Sequence, residues 1–423
     1  MLTLSAYGQI ILIALIAGFV LDVVTTLLNL RSLRATPPQT VAGFCDQATW
    51  ERSIAYTRAK AGVDLVAAGC KLTAFFWWWF GGGFAWLDRV VTAWHLGRLG
   101  TGVVYVGLLL LLFKLFSQPF KLYQAFVVEA RFGDQRTPVT TFIADRAKGL
   151  MLALMLGGPF LISVLFFYTR KGAWAWLYFW VTASAFVIFI QYLAPVLLLP
   201  LFNRFTRLPA SPLGVALRAY LHRAGVPFSG IFTIDSTQRS TRANAYITGL
   251  GGKRRIVLFD TLLKRHPDAE VVALLAHEAG HHMLRHNQRT TLIAILQIGI
   301  MSALLNLAMH QPALHHDFFM DHVTLHGGFV FFILLVVPLD LVTGPLLKAL
   351  TRHQEYAADR FALETLSAPE ALVTALQRLS VDNLTLLTPH PWHVALHHPH
   401  PPLLWRLQAI ERWRANQING IQS

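Results

Sequence analysis

The chain has 423 residues, 54% of them hydrophobic and 14% charged, with a mean hydropathy of +0.48. A soluble domain carries about a quarter charged residues, so composition excludes an ordinary water-soluble globule and points to the membrane class. The formal net charge of +14 would suit a nucleic-acid binder, but so much of the chain lies in long apolar runs that no nucleic-acid partner is expected, and the Lys and Arg residues are read as topology signals.

In chain order, seven stretches approach the roughly 20 residues needed to cross a hydrocarbon core: 10–28, 63–86, 101–116, 150–168, 177–199, 291–309 and 328–346. Asp64 and Lys71 interrupt the second, and the third is short. The first basic residue, Arg31, follows the first run rather than preceding it, the reverse of a cleavable leader, so that run is read as a retained helix. Cys45 falls in a loop and Cys70 in a span; both are expected as free thiols with no metal role.

Basic residues alternate from loop to loop. Arg31, Arg34, Arg52, Arg58 and Lys60 follow the first span, only Arg89 and Arg98 the second, and Lys121, Arg131, Arg136, Arg146 and Lys148 the third, while the loop between the sixth and seventh has none. The positive-inside rule then gives an outside N-terminus and an inside C-terminus. The expected organisation is transmembrane helices one to five over 1–199, a cytoplasmic segment over 200–289, helices six and seven over 290–347 and a second cytoplasmic segment over 348–423. Asp22 and Asp340 fall inside apolar spans, where a carboxylate faces a bundle interior or a wet cavity; functional and packing roles are both open. The stretch 389–402, rich in His and Pro, reads as an extended loop.

Asp268 is read as the N-cap of a helix after Pro267, with an apolar run over 271–284. His277 and His281 lie four residues apart on it, so both imidazoles leave one helical face, one turn apart. Two neutral imidazoles at that spacing suit a tetrahedral Zn²⁺. Glu278 adjoins the first of them, where a carboxylate acts as general base on a water whose pKa zinc lowers to about 7. The pattern is HExxH, and the small neighbours Ala276, Ala279 and Gly280 suit a packed ligand helix. His282 and His286 repeat the spacing in another direction without an adjacent Glu, and are expected at the surface or behind a ligand. Leu284 and Asn287 stand where a metzincin needs Gly and His, which excludes that pattern. A third ligand must come from elsewhere, and Glu355 is the best candidate. Asp359 follows it by four residues, so one carboxylate can ligate the metal while the other holds a ligand histidine by its free N–H.

Several further segments accompany these residues in order: Tyr123-Gln124-Ala125-Phe126-Val127-Val128-Glu129 through Phe132-Gly133, Asp235-Ser236-Thr237-Gln238-Arg239-Ser240, Asn244-Ala245-Tyr246, Lys253-Arg254-Arg255-Ile256-Val257-Leu258-Phe259-Asp260 and His400-Pro401-Pro402-Leu403-Leu404-Trp405-Arg406-Leu407. With the HEAGH and EYAAD segments they resemble, over nearly the whole chain, the integral-membrane M48 metalloproteases of Ste24 type, the CAAX prenyl proteases. The resemblance implies a mainly α fold: seven transmembrane helices enclosing a large chamber, with a gluzincin-type protease domain that carries a small β-sheet. It implies one Zn²⁺ held by His277, His281 and Glu355, Glu278 as catalytic base, and Asp359 behind a ligand. It makes Asn244, Ala245 and Tyr246 an edge strand that binds substrate by strand addition. It gives His400 and Arg406 to the oxyanion, with His397 and His398 as neighbouring alternatives. His282 departs from the bulky apolar residue usual in the family.

The partners implied are a peptide or protein substrate, prenylated or plain, and the lipid bilayer. The ending Asn419-Gly420-Ile421-Gln422-Ser423 fits a bacterial member in the plasma membrane rather than one retained in the endoplasmic reticulum. Two other readings are a membrane-protein quality-control protease of HtpX-like role, whose relatives have fewer spans, and a transporter or receptor whose motif binds no zinc.

Overall fold

The computed structural model describes residues 4–132, 138–193, 198–202, 204–235, 244–249 and 254–421. The N-terminal half is α1 (Ala6–Arg31), α2 (Gln47–Phe80), α3 (Gly83–Thr92), α4 (Gly97–Glu129), α5 (Val139–Arg170) and α6 (Gly172–Tyr192). The middle holds β1 (Phe205–Arg207), α7 (Pro212–Arg223), β2 (Gly230–Ile234), β3 (Ala245–Thr248), β4 (Arg255–Phe259) and α8 (Asp268–Met283). The rest is α9 (His286–Ala308), α10 (Leu325–Thr365), α11 (Glu370–Asp382), α12 (Pro391–His397) and α13 (Leu403–Ile421).

Among the described residues six helices, not seven, are long and apolar enough to cross a membrane: α1, α4, α5, α6, α9 and α10. The expected second span is the exception. The chain breaks at Gly81–Gly82, where Gly82 has φ +72°, so the stretch is divided between α2 and α3. The part within α2 is diluted by Asp64, Lys71 and three tryptophans. The third span is longer than expected, since α4 runs 33 residues and contains Pro119. Residues 194–197, the end of the expected fifth span, lie outside the described residues.

Two cores form. One joins Trp50, Leu217, Leu221, Ile256, Leu258, Val271, Leu275, Ala362 and Leu372, and so cements the sheet to α7, α8, α11 and the end of α10. The other gathers aromatic rings around the start of α10, with Phe318 stacked between Trp79 at 4.6 Å and Phe331 at 4.0 Å. Beside it, buried Asp317 accepts from the backbone N–H groups of Ser5 and Gly8 at 2.7 and 2.8 Å and so caps α1. Asp88 on α3 lies 2.7 Å from His326 on α10.

The sheet order is β1-β2-β4-β3, with β2 and β4 parallel and the outer pairs antiparallel. The strand carrying Ala245 and Tyr246 is therefore an edge. Asp268 is not the N-cap of α8: Pro267 holds that position, and Asp268 and Glu270 occupy the first turn, where a negative charge opposes the helix dipole favourably. The 389–402 stretch is not wholly extended either. Residues Pro391–His397 form α12, because a proline is preorganised for the first turn and the His390 side chain accepts from the Trp392 N–H. This helix docks between α1 and α10: the His390 N–H donates to Asn29 at 2.9 Å, and the Lys348 ammonium to the Leu396 carbonyl at 2.7 Å.

With 41 residues, α10 is about 60 Å long, twice a hydrocarbon core of about 30 Å. It is therefore long enough to cross a bilayer and still extend beyond it, and its far end delivers Glu355 and Asp359 onto α8. The two helices meet at Gly280, where an added Cβ would lie 3.0 Å from the backbone Cα and O of Ala358 and 3.2 Å from the Phe361 Cβ. Overpacking of this kind costs about 1–3 kcal/mol. Gly280→Ala is expected to lower the thermal midpoint in detergent and weaken metal retention, whereas Gly62→Ala, which meets nothing within 4 Å, leaves both unchanged.

Candidate metal centre

The face of α8 turned toward α10 is made of Ala273, Ala276, His277 and Gly280, all buried. Small residues there let α10 approach closely enough for a glutamate to reach two imidazoles. His277 Nε2 and His281 Nε2 lie 3.2 Å apart. Glu355 Oε2 is 3.4 Å from the first, and its Oε1 3.3 Å from the second. Around a tetrahedral ion with bonds of about 2.0–2.1 Å, neighbouring donors stand about 3.3 Å apart. The two imidazoles stand at that separation and the carboxylate reaches each of them through a different oxygen, so the three groups converge on one point, and two histidines with a carboxylate are a donor set that suits Zn²⁺. Among the described residues this is the one His, Cys, Asp or Glu group so gathered.

Each imidazole is held from behind. His277 Nδ1 lies 2.9 Å from Asp359 Oδ1. Asp359 in turn accepts the fork of Arg406, with Nε donating to Oδ2 at 2.8 Å and Nη2 to Oδ1. His281 Nδ1 lies 3.1 Å from His286 Nδ1. His286 is buried at the start of α9, reached through Leu284 and Arg285, whose φ of +57° turns the chain back on itself. The sequence pattern left this residue at the surface or behind a ligand; the structure places it behind His281, and the helix break at Leu284–Arg285, unmarked by glycine or proline, is what brings it inward.

Burial pulls the His277 imidazolium down, but its hydrogen bonds to the Asp359 and Glu355 carboxylates outweigh that and raise its pKa to about 9. Burial pushes the Glu278 carboxyl up, against the opposing pull of His277 and His281. A base tuned toward neutrality is what proton transfer at neutral pH requires.

A cavity of about 900 Å³ opens over these groups, lined by Asn244, Ala245, Glu278 and Glu355 among others. His400 stands at its mouth, exposed, with Nδ1 2.9 Å from Glu355 Oε1. Arg406 also lines the cavity, but the fork expected for an oxyanion is engaged by Asp359, and its Nη1 lies 3.9 Å from Glu355. Of the expected strand residues, Asn244 and Ala245 face the cavity, whereas Tyr246 packs edge-on against Phe259 at 6.2 Å. The Asn244 carbonyl accepts from the Phe259 N–H at 3.1 Å. By the two-residue alternation of a strand, the backbone groups of Ala245 and Ile247 then point away from β4, with the Ala245 N–H donating to the Asn244 Oδ1 at 2.9 Å. Residues 236–243 and 250–253 lie outside the described residues. Asp22 is 3.6 Å from His397, and neither it nor Asp340 lines the cavity; Cys45 and Cys70 are free thiols, as expected.

An HExxH helix, a distant glutamate closing on it and several bilayer-length helices define the class: a multi-pass membrane metalloprotease. The model of the CAAX prenyl protease N-terminal domain, with five membrane helices, matches residues 26–204, and that of peptidase family M48 matches 213–414. CAAX prenyl protease 1 homolog of Arabidopsis thaliana is 30% identical over 94% of this chain and 96% of its own. CAAX prenyl protease 1 of Saccharomyces cerevisiae is 29% identical over 88% of each. The crystal structure of S. mikatae Ste24p superposes with a TM-score of 0.91 at 28% identity, covering 96% of this chain and 99% of that one. The chain belongs to peptidase family M48, as a homologue of the Ste24-type CAAX prenyl proteases.

Metal uptake must expel the proton on His277. With that group's pKa raised to about 9, apparent Zn²⁺ affinity is expected to fall about tenfold per pH unit below pH 9. Chelator competition across that range measures it, and an affinity flat with pH would exclude the arrangement.

Proposed function

We propose that the chain is a zinc endopeptidase that cleaves near the C-terminus of CAAX-type or other lipidated, membrane-associated peptides. The observation that carries this reading is the set of three converging donors beside a buried carboxylate and an open strand edge. His277, His281 and Glu355 would hold one Zn²⁺. When bound, the ion supplies Lewis acidity, polarising the scissile carbonyl and acidifying water.

The chain's own residues do the rest. An extended peptide pairs with the outward C=O of Ala245 and the N–H and C=O of Ile247, with Asn244 beside it, and this fixes the scissile bond over the site. Glu278 takes a proton from the attacking water and delivers it to the departing amine. His400, exposed beside Glu355 on the cavity lining, donates to the developing oxyanion. Arg406 acts at one remove: it holds Asp359, which holds the His277 ring.

The long helices are proposed to enclose a chamber through which the lipid-bearing end of a substrate approaches, α2 supplying the seventh crossing. The N-terminus is then outside, and the protease domain is cytoplasmic. The family relatives named as CAAX prenyl proteases support this substrate class.

Mass spectrometry of products from prenylated and plain peptides tests the function. Glu278→Gln is expected to retain metal and lose cleavage by about 10²–10⁴-fold; equal cleavage by both proteins would sink the assignment. Ile247→Pro removes an outward N–H that takes no part in the β3–β4 ladder, so the fold should survive. A KM raised with little change in kcat is the expected result, and an unaltered KM would remove strand addition from the mechanism.

A further inference from the structure

The two histidines of the centre are backed by different chemistry. Behind His277 stands an anion, Asp359, neutralised by Arg406. Behind His281 stands a second imidazole, with Nδ1 facing Nδ1 at 3.1 Å and the ring planes inclined by 76°. His286 is only 3% exposed, so water does not compete freely for that contact.

Two ring nitrogens so close share one proton, which one must donate and the other accept. His281 Nε2 faces His277 and Glu355 at 3.2 and 3.3 Å. To offer a lone pair there, His281 must carry its proton on Nδ1. The opposing Nδ1 of His286 is then the acceptor, which makes His286 a neutral imidazole protonated on Nε2. We propose that His286 is a positioning residue that selects the metal-binding tautomer of His281 and holds its ring. The proposal rests on reading His277, His281 and Glu355 as the metal ligands.

The choice of a neutral acceptor has a physical reason. Glu278, Glu355 and Asp359 already place three carboxylates at the centre, against one fixed cation, Arg406. A fourth carboxylate behind His281 would add like-charge repulsion in a buried site. A neutral ring fixes the tautomer without that charge and leaves His281 a weaker donor than His277, whose partner is an anion. The placement comes from the backbone: Arg285 in the left-handed region swings His286, the first residue of a bilayer-length helix, against the last turn of α8.

The test compares wild type, His286→Asn and His286→Ala. The Asn Oδ1 sits where the imidazole Nδ1 sat and accepts the same proton, whereas Ala accepts nothing. Each purified protein is loaded with Zn²⁺ for chelator competition and with Co²⁺ for its visible ligand-field spectrum. His286→Ala is expected to hold metal about 10–100-fold more weakly with an altered Co²⁺ spectrum, and His286→Asn to restore both to within about threefold. The proposal is overturned if His286→Ala matches wild type in affinity and spectrum. It is equally overturned if Asn and Ala are impaired alike, because volume rather than proton acceptance would then be what the site needs. Failure of the underlying reading looks different: His277→Ala would bind metal as wild type does.

Discussion

The contact between Gly280 and Ala358 governs the centre. An HExxH helix alone supplies two imidazoles on one face and nothing to close the coordination. The third donor arrives on a helix from a distant part of the sequence, and it reaches the imidazoles only because the two backbones touch where Gly280 has no side chain. A methyl group at that point would move α10 outward by a few tenths of an ångström, in a cluster whose donors stand 3.2 to 3.4 Å apart. Close packing turns one missing Cβ into a coordination geometry.

From that crossing the supporting contacts spread in order. Asp359 lies one turn beyond Glu355 on α10, so the approach that brings Glu355 to the imidazoles also brings the carboxylate that contacts His277 Nδ1. Arg406, on α13, clamps that carboxylate and is itself half-buried, so the segment after His400-Pro401-Pro402 folds back over the site. Arg406 gives its Nε and one Nη2 donor to Asp359, so holding that carboxylate is the role its contacts display, while the residue still lines the cavity.

Much of this was legible in the sequence because short-range spacing carries it. Four-residue intervals place His277 with His281 and Glu355 with Asp359 on helical faces whatever the tertiary context. Loop charges also indicated that the segments holding the two pairs share a side of the membrane. What spacing does not carry is the turn. The reversal at Arg285 uses a non-glycine residue with positive φ, for which sequence offers no marker, so His286 was not assigned to the centre. The docking of α12 on Asn29 and Thr25 depends on a tertiary partner more than three hundred residues away. The second span falls short of an apolar crossing on a local detail instead: Gly81 and Gly82 interrupt the stretch, and Asp64 and Lys71 dilute the part within α2.

The length of α10 has a mechanical consequence. Treated as a beam with its fulcrum at Ala358, it has arms of very unequal length. Glu355 lies three residues away, about 5 Å, while His326, near the far end, lies thirty-two residues away, about 48 Å. A sideways displacement of the far end, such as a helix undergoes when it tilts to match a thicker or thinner bilayer, reaches Glu355 diminished about tenfold. The prolines at 338 and 345 interrupt the backbone ladder between the two ends and soften the coupling further. The same helix that fastens the centre to the membrane therefore isolates it from the membrane's movements.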